Sequence, residues 1–337
     1  MNKIDGILNI NKPAGWTSQD VCAKLRGRLH IKKIGHTGTL DPMATGVLPV
    51  CIGKATRIIE YYDKDMKSYH ASMKLGLTTD TLDITGEVIS ENAVRITAEA
   101  GYAVQAEVSG NAGTAEHAEC SGKSRDTENV LTVSAEDINK AFKEYTGRIS
   151  QIPPKYSALK VNGKRAYDLA RDGKDFELKA REVLIPSNEV YSIDAENGII
   201  EFDVSCSKGT YIRTICDDIG RMLGCGAVMT SLVRTGSGYF CIENAVDPEK
   251  LVEMADEEIA SLVIPMDATL FNLGCIELDS RRAGAFRNGN PSAAWSWSVT
   301  RETGFDELYR VYDRISGAFL GIGRTENGEL IPQKVLI

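Results

Sequence analysis

Apolar and polar positions along the chain fall into short runs whose period changes repeatedly between helix and strand. In WTSQDVCAKLRGRL, Val21, Leu25 and Leu29 recur at helical spacing. Thr17 stands where an N-cap belongs and Asp20 follows three residues later, so the stretch predicts an amphipathic helix with Lys24, Arg26 and Arg28 on its polar side. VLPVCIG (47–53) reads as a buried strand, and SYHASMKLG (68–76) as a strand of alternating character. SAEDINKAFKEYTG (134–147) returns to helical spacing: Ser134 caps, Asp137 closes the box, Ile138, Ala141, Phe142 and Tyr145 form the stripe, and Gly147 stops it.

The clearest pattern is IIEFDVSCSKGTYIRTICDDIGRMLGCG (199–226). Phe202, Val204 and Cys206 alternate as in a strand, then Ile212, Ile215, Cys216, Ile219, Met222 and Leu223 take helical spacing until Gly224. LVEMADEEIASLVIPMD (251–267) predicts one last acidic helix and a short linker. Beyond it, strand-like runs with turn residues, including the hairpin signal Asn327-Gly328, predict a small all-β domain from about residue 268. From Ser90 to about Thr132 the composition turns to Ala, Gly, Ser and Glu without steady period, which predicts an exposed insertion.

Composition narrows the class. The 337 residues suffice for a large domain plus a smaller one, with 42% hydrophobic and 26% charged residues as in ordinary globular chains. No apolar run approaches the roughly 20 residues of a membrane span, and MNKIDGILNINKP lacks the apolar region of a secretory signal. Eight cysteines without a CxxC pair, beside only four histidines, point to reduced cytoplasmic thiols and away from zinc or a disulfide framework. The formal charge of −8 argues against a nucleic-acid partner until its distribution is read. Between Glu87 and Asp137 stand ten acids and three bases, so most of the negative charge lies in one window. Bases cluster in KLRGRLHIKK (24–33) and KYSALKVNGKRAYDLARDGK (155–174), and local patches rather than net charge attract phosphate. A solvated basic helix face would produce the same clusters.

Two residues stand out chemically. Asp41 in GHTGTLDPMATGVL (35–48) is the one acid among glycines and threonines. It either caps a helix begun by Pro42 or is presented for chemistry, and the helix it would start is a poor one, since Gly46 follows at once. Arg213 falls in the first turn of the predicted helix, off its apolar stripe. There it faces the positive end of the helix dipole at a cost of a few tenths to about 1 kcal/mol. An anion should offset it: an RNA phosphate, a surface acid, or a buried carboxylate such as Asp41. Other motifs fail. IGKAT (52–56) lacks the glycine and the Ser/Thr of a phosphate loop, GHTG is not GxGxxG, and GSG near Ser237 is not GxSxG. His36 has no His or Cys partner at metal spacing.

NKPAGWTS (11–18), GHTGTLDPMATGVL (35–48), KSYHASMKLG (67–76), TDTLDITGEV (80–89), QIPPKYSALKVNGKRAYDLAR (151–171) and CSKGTYIRTICDDIG (206–220), in this order, resemble the bacterial TruB-type tRNA pseudouridine synthases. The resemblance covers nearly all of residues 3–265 apart from the insertion. It implies an α+β pseudouridine synthase fold, with a mixed, mostly antiparallel sheet flanked by helices in residues 1–267. A PUA-like RNA-binding domain is implied in 268–337. It implies isomerisation of uridine 55 in the T-loop of tRNA by a cytoplasmic monomer that needs neither cofactor nor metal and engages no membrane. Asp41 matches the catalytic aspartate, Tyr69 the aromatic residue against the target base, and Arg213 the arginine paired with the aspartate. His36 matches the histidine of the RNA-inserted loop and Leu232 the apolar residue lining the base pocket. Lys12, with Pro13, matches the motif supporting the active-site loop. Lys24, Arg26, Arg28, Lys155 and Lys160, from the basic stretches, would hold phosphates. The competing readings are a non-catalytic RNA-binding protein, in which Asp41 only caps, and a related synthase that modifies another RNA.

Overall fold

The computed structural model describes residues 4–97, 130–161, 163–293, 297–301 and 307–337. The chain divides into two compact units, residues 1–65 with 234–337 and residues 66–233.

In the first unit the strand Gly6–Lys12 pairs antiparallel with Thr45–Ile52, and the short strand Ile34–His36 pairs with the same partner. Thr45–Ile52 is almost wholly buried, as its unbroken apolar run predicts. The helix Ser18–Leu29 begins with the expected capping box: Thr17 accepts from the Asp20 amide and Asp20 accepts from the Thr17 amide. Val21, Cys22, Leu25 and Leu29 are buried against Leu8, Ile10, Leu48 and Val50, with Leu251 and Ile259 in the same core. Residues 251–267 are not one helix. The segment folds as Pro248–Glu253, Asp256–Leu262 and the single turn Met266–Thr269. Met254 and Ala255 are extended between the first two, and the Ala255 amide donates to the Glu258 carboxylate, which restarts the helix.

A six-stranded mixed sheet follows, in the order Ser292–Ala293, Glu329–Val335, Phe319–Glu326, Leu308–Asp313, Gly274–Leu278, Trp297–Arg301. Asn327 and Gly328, both at positive φ, make its hairpin turn. The region is not all-β: the helix Ser280–Arg287, capped by Asp279, buries Ala283 and Phe286 in its core. A second core joins Leu270, Leu273, Leu308, Ile322 and Leu336 to Ile7, Val47, Cys51, Ala55, Ile58 and Tyr62. All of these core residues lie within the first compact unit.

In the second unit Lys67–Leu75 pairs antiparallel with Ile199–Cys206, which pairs with Ser187–Asp194, while Ala227–Ser237 flanks the other side of Lys67–Leu75. The division cuts Ala227–Ser237, leaving its last four residues to the first unit. The helix Ala135–Glu144 carries the expected Ser134–Asp137 box and packs Phe142 edge-on against Phe202. The helix Ile212–Met222 buries Ile212, Ile215, Cys216 and Ile219 as expected, but Met222 is exposed. The predicted irregular insertion is strand at both ends. Val88–Glu91 pairs with Leu77–Thr79, and Val94–Thr97 runs parallel to Leu131–Ser134, burying Ile96 and Val133. The rest of the insertion, 98–129, lies outside the described residues. Among the described residues no helix is long and apolar enough to cross a membrane, and none of the seven described cysteines is disulfide-bonded.

Candidate active site

Asp41 does not cap a helix. Residues 41–44 form a tight turn, with the Ala44 amide donating to the Asp41 carbonyl at 3.1 Å, and the strand begins at Thr45. The carboxylate is half-buried on this turn, next to the buried Leu40. Leu40 is fixed by Ser18: its amide donates to Ser18 Oγ at 2.9 Å, and that hydroxyl donates to the Leu40 carbonyl at 3.3 Å.

Two buried cations of the same unit hold this loop by its carbonyl groups. Lys12, fully buried, donates from Nζ to Pro13 O (2.8 Å), Trp16 O (2.6 Å) and Pro42 O (3.2 Å). Burial brings its ammonium down to about 8 against the opposing pull of Asp41, while the Arg234 charge lowers it further. Lys12 is thus a structural cation under the turn, and the Asp41 charge helps keep it protonated. Arg234, 1% exposed, donates from Nε to Val47 O at 2.5 Å and from Nη2 to Gly38 O at 3.2 Å. Gly46 lies against it at φ +99°. A Cβ there would come within 2.3 Å of the Arg234 carbonyl oxygen, so only glycine fits. Arg234 was missed by sequence reasoning. Its signal was that it is the one charged residue in the strand Ala227–Ser237.

His36 ends the strand Ile34–His36 on the approach to the loop. Gln19 Nε2 lies 3.2 Å from His36 Nε2, and His36 Nδ1 is buried without a partner. Burial, then Arg234 and Arg26, push its pKa down, so the ring is neutral at pH 7 and Nε2 accepts from the amide.

In the second unit Arg213 is buried, although it lies off the apolar stripe. Nη1 donates to Thr81 O at 2.9 Å and Nη2 to Tyr156 O at 3.1 Å. The anion the helix start requires is supplied within this unit by Asp83, itself buried, with Oδ2 3.5 Å from Nη1. Asp83 is in turn fixed by Thr81 Oγ1 (2.9 Å), Thr85 N (3.0 Å) and Thr85 Oγ1 (2.6 Å), all donating to Oδ1. Leu82 between them adopts φ +63°, a left-handed conformation that a branched side chain adopts only under constraint. The loop is bonded to the strand Ala227–Ser237 on both sides, Met229 N to Leu82 O and Ile84 N to Met229 O. Sequence reasoning singled out TDTLDITGEV but gave Asp83 no role. Tyr69 lies on Lys67–Leu75 opposite Val204, 8% exposed, and Leu232 is equally buried on Ala227–Ser237.

The expected phosphate cations divide. Lys24, Lys155 and Lys160 are exposed. Arg26 and Arg28 are partly buried and bonded within their own unit. Arg26 Nη2 donates to Ile34 O at 2.6 Å. Arg28 donates to Val252 O and Met254 O and pairs with Asp256 at 2.9 Å, closing the end of the helix Pro248–Glu253. Among the described residues no cluster of three or more His, Cys, Asp or Glu is placed to hold a metal ion.

Family models match along the chain: the TruB family pseudouridylate synthase N-terminal domain over 26–117 and 102–212, and the tRNA pseudouridylate synthase B C-terminal domain over 213–270. The pseudouridine synthase II TruB C-terminal model matches over 274–336. The chain is 38% identical over 334 residues to a tRNA pseudouridine synthase B of Clostridium perfringens strain 13, covering 99% of each. It is 38% identical over 327 residues to one of Clostridioides difficile strain 630, covering 96% of this chain and 94% of the relative. The fold is shared with a solved Cbf5–Nop10–Gar1 complex at TM-score 0.69 and 24% identity, over 99% of this chain and 85% of the other.

Proposed function

This chain belongs to the TruB family of pseudouridylate synthases, and from that membership we propose that it converts uridine 55 in the T-loop of tRNA to pseudouridine, with Asp41 as nucleophile. The reaction cuts the bond between ribose C1′ and N1, turns the uracil, joins C1′ to C5, moves a proton from C5 to solvent and returns one to N1. Nothing is oxidised and no group is donated, so the residues need only activate, orient and exclude water. The Asp41 carboxylate either adds to C6 of the base or captures C1′, and both routes divide one hard step into easier ones. Arg213 is assigned as its counter-charge during the reaction, keeping it ionised. Tyr69 offers a face on which the base stacks, and its hydroxyl assists removal of the C5 proton. Leu232 lines the apolar side of the base.

The target uridine is stacked in the folded T-loop and is turned outward before reaction, at a cost of a few kcal/mol. A neutral, half-buried His36 beside the catalytic loop suits it to fill the vacated stack. Lys24, Lys155 and Lys160 are assigned to phosphates of the T-arm. The division of labour we propose is catalysis in residues 1–267 and RNA binding by a PUA-like region in 268–337, in a cytoplasmic monomer. The change of family model between residues 270 and 274 supports that boundary.

One observation carries this reading: Asp41 stands on a non-helical turn held from below by a buried lysine, an arrangement that a helix cap does not require. The test is Asp41→Asn. Pseudouridine formation, followed by tritium release from C5, should fall by more than about 10⁴-fold with tRNA affinity nearly unchanged. Full turnover would end the assignment. Mass-spectrometric mapping of modified uridines in total RNA, with and without the protein, checks the position, and modification elsewhere would transfer the same chemistry to another RNA.

A further inference from the structure

The helix that carries Arg213 begins without any side-chain cap of its own, since Tyr211 at the N-cap makes no side-chain hydrogen bond to the first turn. A separate ribbon does that work. Among the described residues the strands Gly147–Gln151 and Arg181–Ile185 pair only with each other, and in their register Gln151 stands directly opposite Arg181. Gln151 is 1% exposed and grips both polar groups of the Tyr211 backbone: Oε1 accepts from Tyr211 N at 2.8 Å, and Nε2 donates to Tyr211 O at 3.1 Å. Arg181 holds the other end of the same loop. Its Nη2 donates to Gly209 O at 2.6 Å, and its guanidinium lies 5.0 Å from the centre of the Tyr211 ring. Gly209 sits at φ +89°, and a Cβ there would meet that guanidinium at 3.3 Å. Ser207 completes the attachment, with its amide donating to Leu184 O and its hydroxyl accepting from Leu184 N. Tyr156, a few residues beyond Gln151, accepts from Arg213 itself.

We propose that this ribbon is a clamp for the catalytic arginine: Gln151 and Arg181 are positioning residues that fix the 207–211 loop, and through it the place of the Arg213 guanidinium. The inference rests on the catalytic role assigned to Arg213. A primary amide suits the task because it offers one donor and one acceptor side by side, matching the amide and carbonyl of a single residue in extended conformation. Those two bonds fix φ and ψ at the residue where the strand-to-helix turn is made, just ahead of Arg213.

The experiment measures kcat and KM for tRNA by tritium release, at temperatures well below each variant's melting point. Gln151→Ala should lower kcat by about 10- to 100-fold, the scale of a displaced catalytic group, with KM within about twofold. Gln151→Glu supplies a readout that mere stability does not move. Ionised, it repels the Tyr211 carbonyl; protonated, its O–H donates there while its C=O accepts from the Tyr211 amide. Burial raises a carboxyl pKa, so its kcat relative to wild type should recover as pH falls from about 8 to 5.5. Arg181→Lys should show a smaller kcat loss, and it serves as the second variant where Gln151→Ala does not fold. Combined with Arg213→Lys, the Gln151 variant should add little further loss. A folded Gln151→Ala enzyme with wild-type kcat, or full additivity with Arg213→Lys, overturns the clamp. A fully active Arg213→Lys instead overturns the catalytic role on which the clamp rests.

Discussion

Asp41 and Arg213, the two charges at the centre of the proposed chemistry, are supported in opposite ways. In the first unit the support is cationic and lies beneath the backbone. Lys12 and Arg234 are buried, and they bind the carbonyls of the loop that presents a half-exposed carboxylate. In the second unit the proposed functional group is itself the buried cation, and its support includes two carbonyls and a carboxylate, Thr81 O, Tyr156 O and Asp83. Under the proposed mechanism, a carboxylate that must reach substrate is given a shaped turn and left partly open. A guanidinium that must hold one orientation is enclosed, with its donors directed at fixed acceptors.

That contrast yields a graded set of outcomes. Arg213→Lys cannot reproduce the planar fork, so kcat should fall about 10³-fold, with Asp83→Asn costing about tenfold. If Asp83→Asn proved as damaging as Arg213→Lys, the carboxylate would be more than an anchor. Next in size, Arg234→Met should destabilise the first unit by about 3–5 kcal/mol, measured by urea unfolding, because the buried Val47 carbonyl and the partly buried Gly38 carbonyl lose their donor. A change below about 1 kcal/mol, within the range of an ordinary substitution, would show that the loop stands without it.

Lys12 gives a pH test with a defined sign. Its ammonium titrates at about 8 when folded and near 10.5 when unfolded. Between these values the unfolded chain binds the extra proton, so this group makes the unfolding free energy rise with pH. The stability of wild type relative to Lys12→Met should therefore grow by about 2–3 kcal/mol from about pH 8 to 10.5, at roughly 1.36 kcal/mol per pKa unit. A flat difference would remove the desolvated lysine from beneath the turn. Smallest in effect, replacing Lys24, Lys155 and Lys160 by Gln should flatten the salt dependence of tRNA binding, by roughly 0.7–0.9 in slope for each phosphate no longer neutralised. Arg28→Gln should leave the slope alone and lower stability. A slope change with Arg28→Gln would return that residue to the RNA.

Local signals proved legible wherever a pattern and its end markers agreed. The capping boxes Thr17–Asp20 and Ser134–Asp137 and the Asn327-Gly328 turn stand where the sequence signals placed them, and the buried strand expected at 47–53 runs from Thr45 to Ile52. The pattern misled at 251–267, where one apolar period runs through two helices because Met254 and Ala255 are extended between them. It also hid the short strands Val94–Thr97 and Leu131–Ser134, which pair with each other although they are far apart in sequence. Polar side chains were the least legible. Arg26 and Arg28 look like phosphate ligands in a basic run, yet their guanidiniums end on carbonyls of their own unit.

Hydrophobic period, caps and turn residues are local properties, and from them many of the elements and the candidate residues at 41 and 213 could be read directly, whereas Tyr69 was implied only by the family resemblance. The partner of a buried charge is not local. That Arg213 meets Asp83, that Arg234 holds the loop around Asp41, and that Gln151 grips Tyr211 were decided when distant segments packed and brought these buried donors to their acceptors.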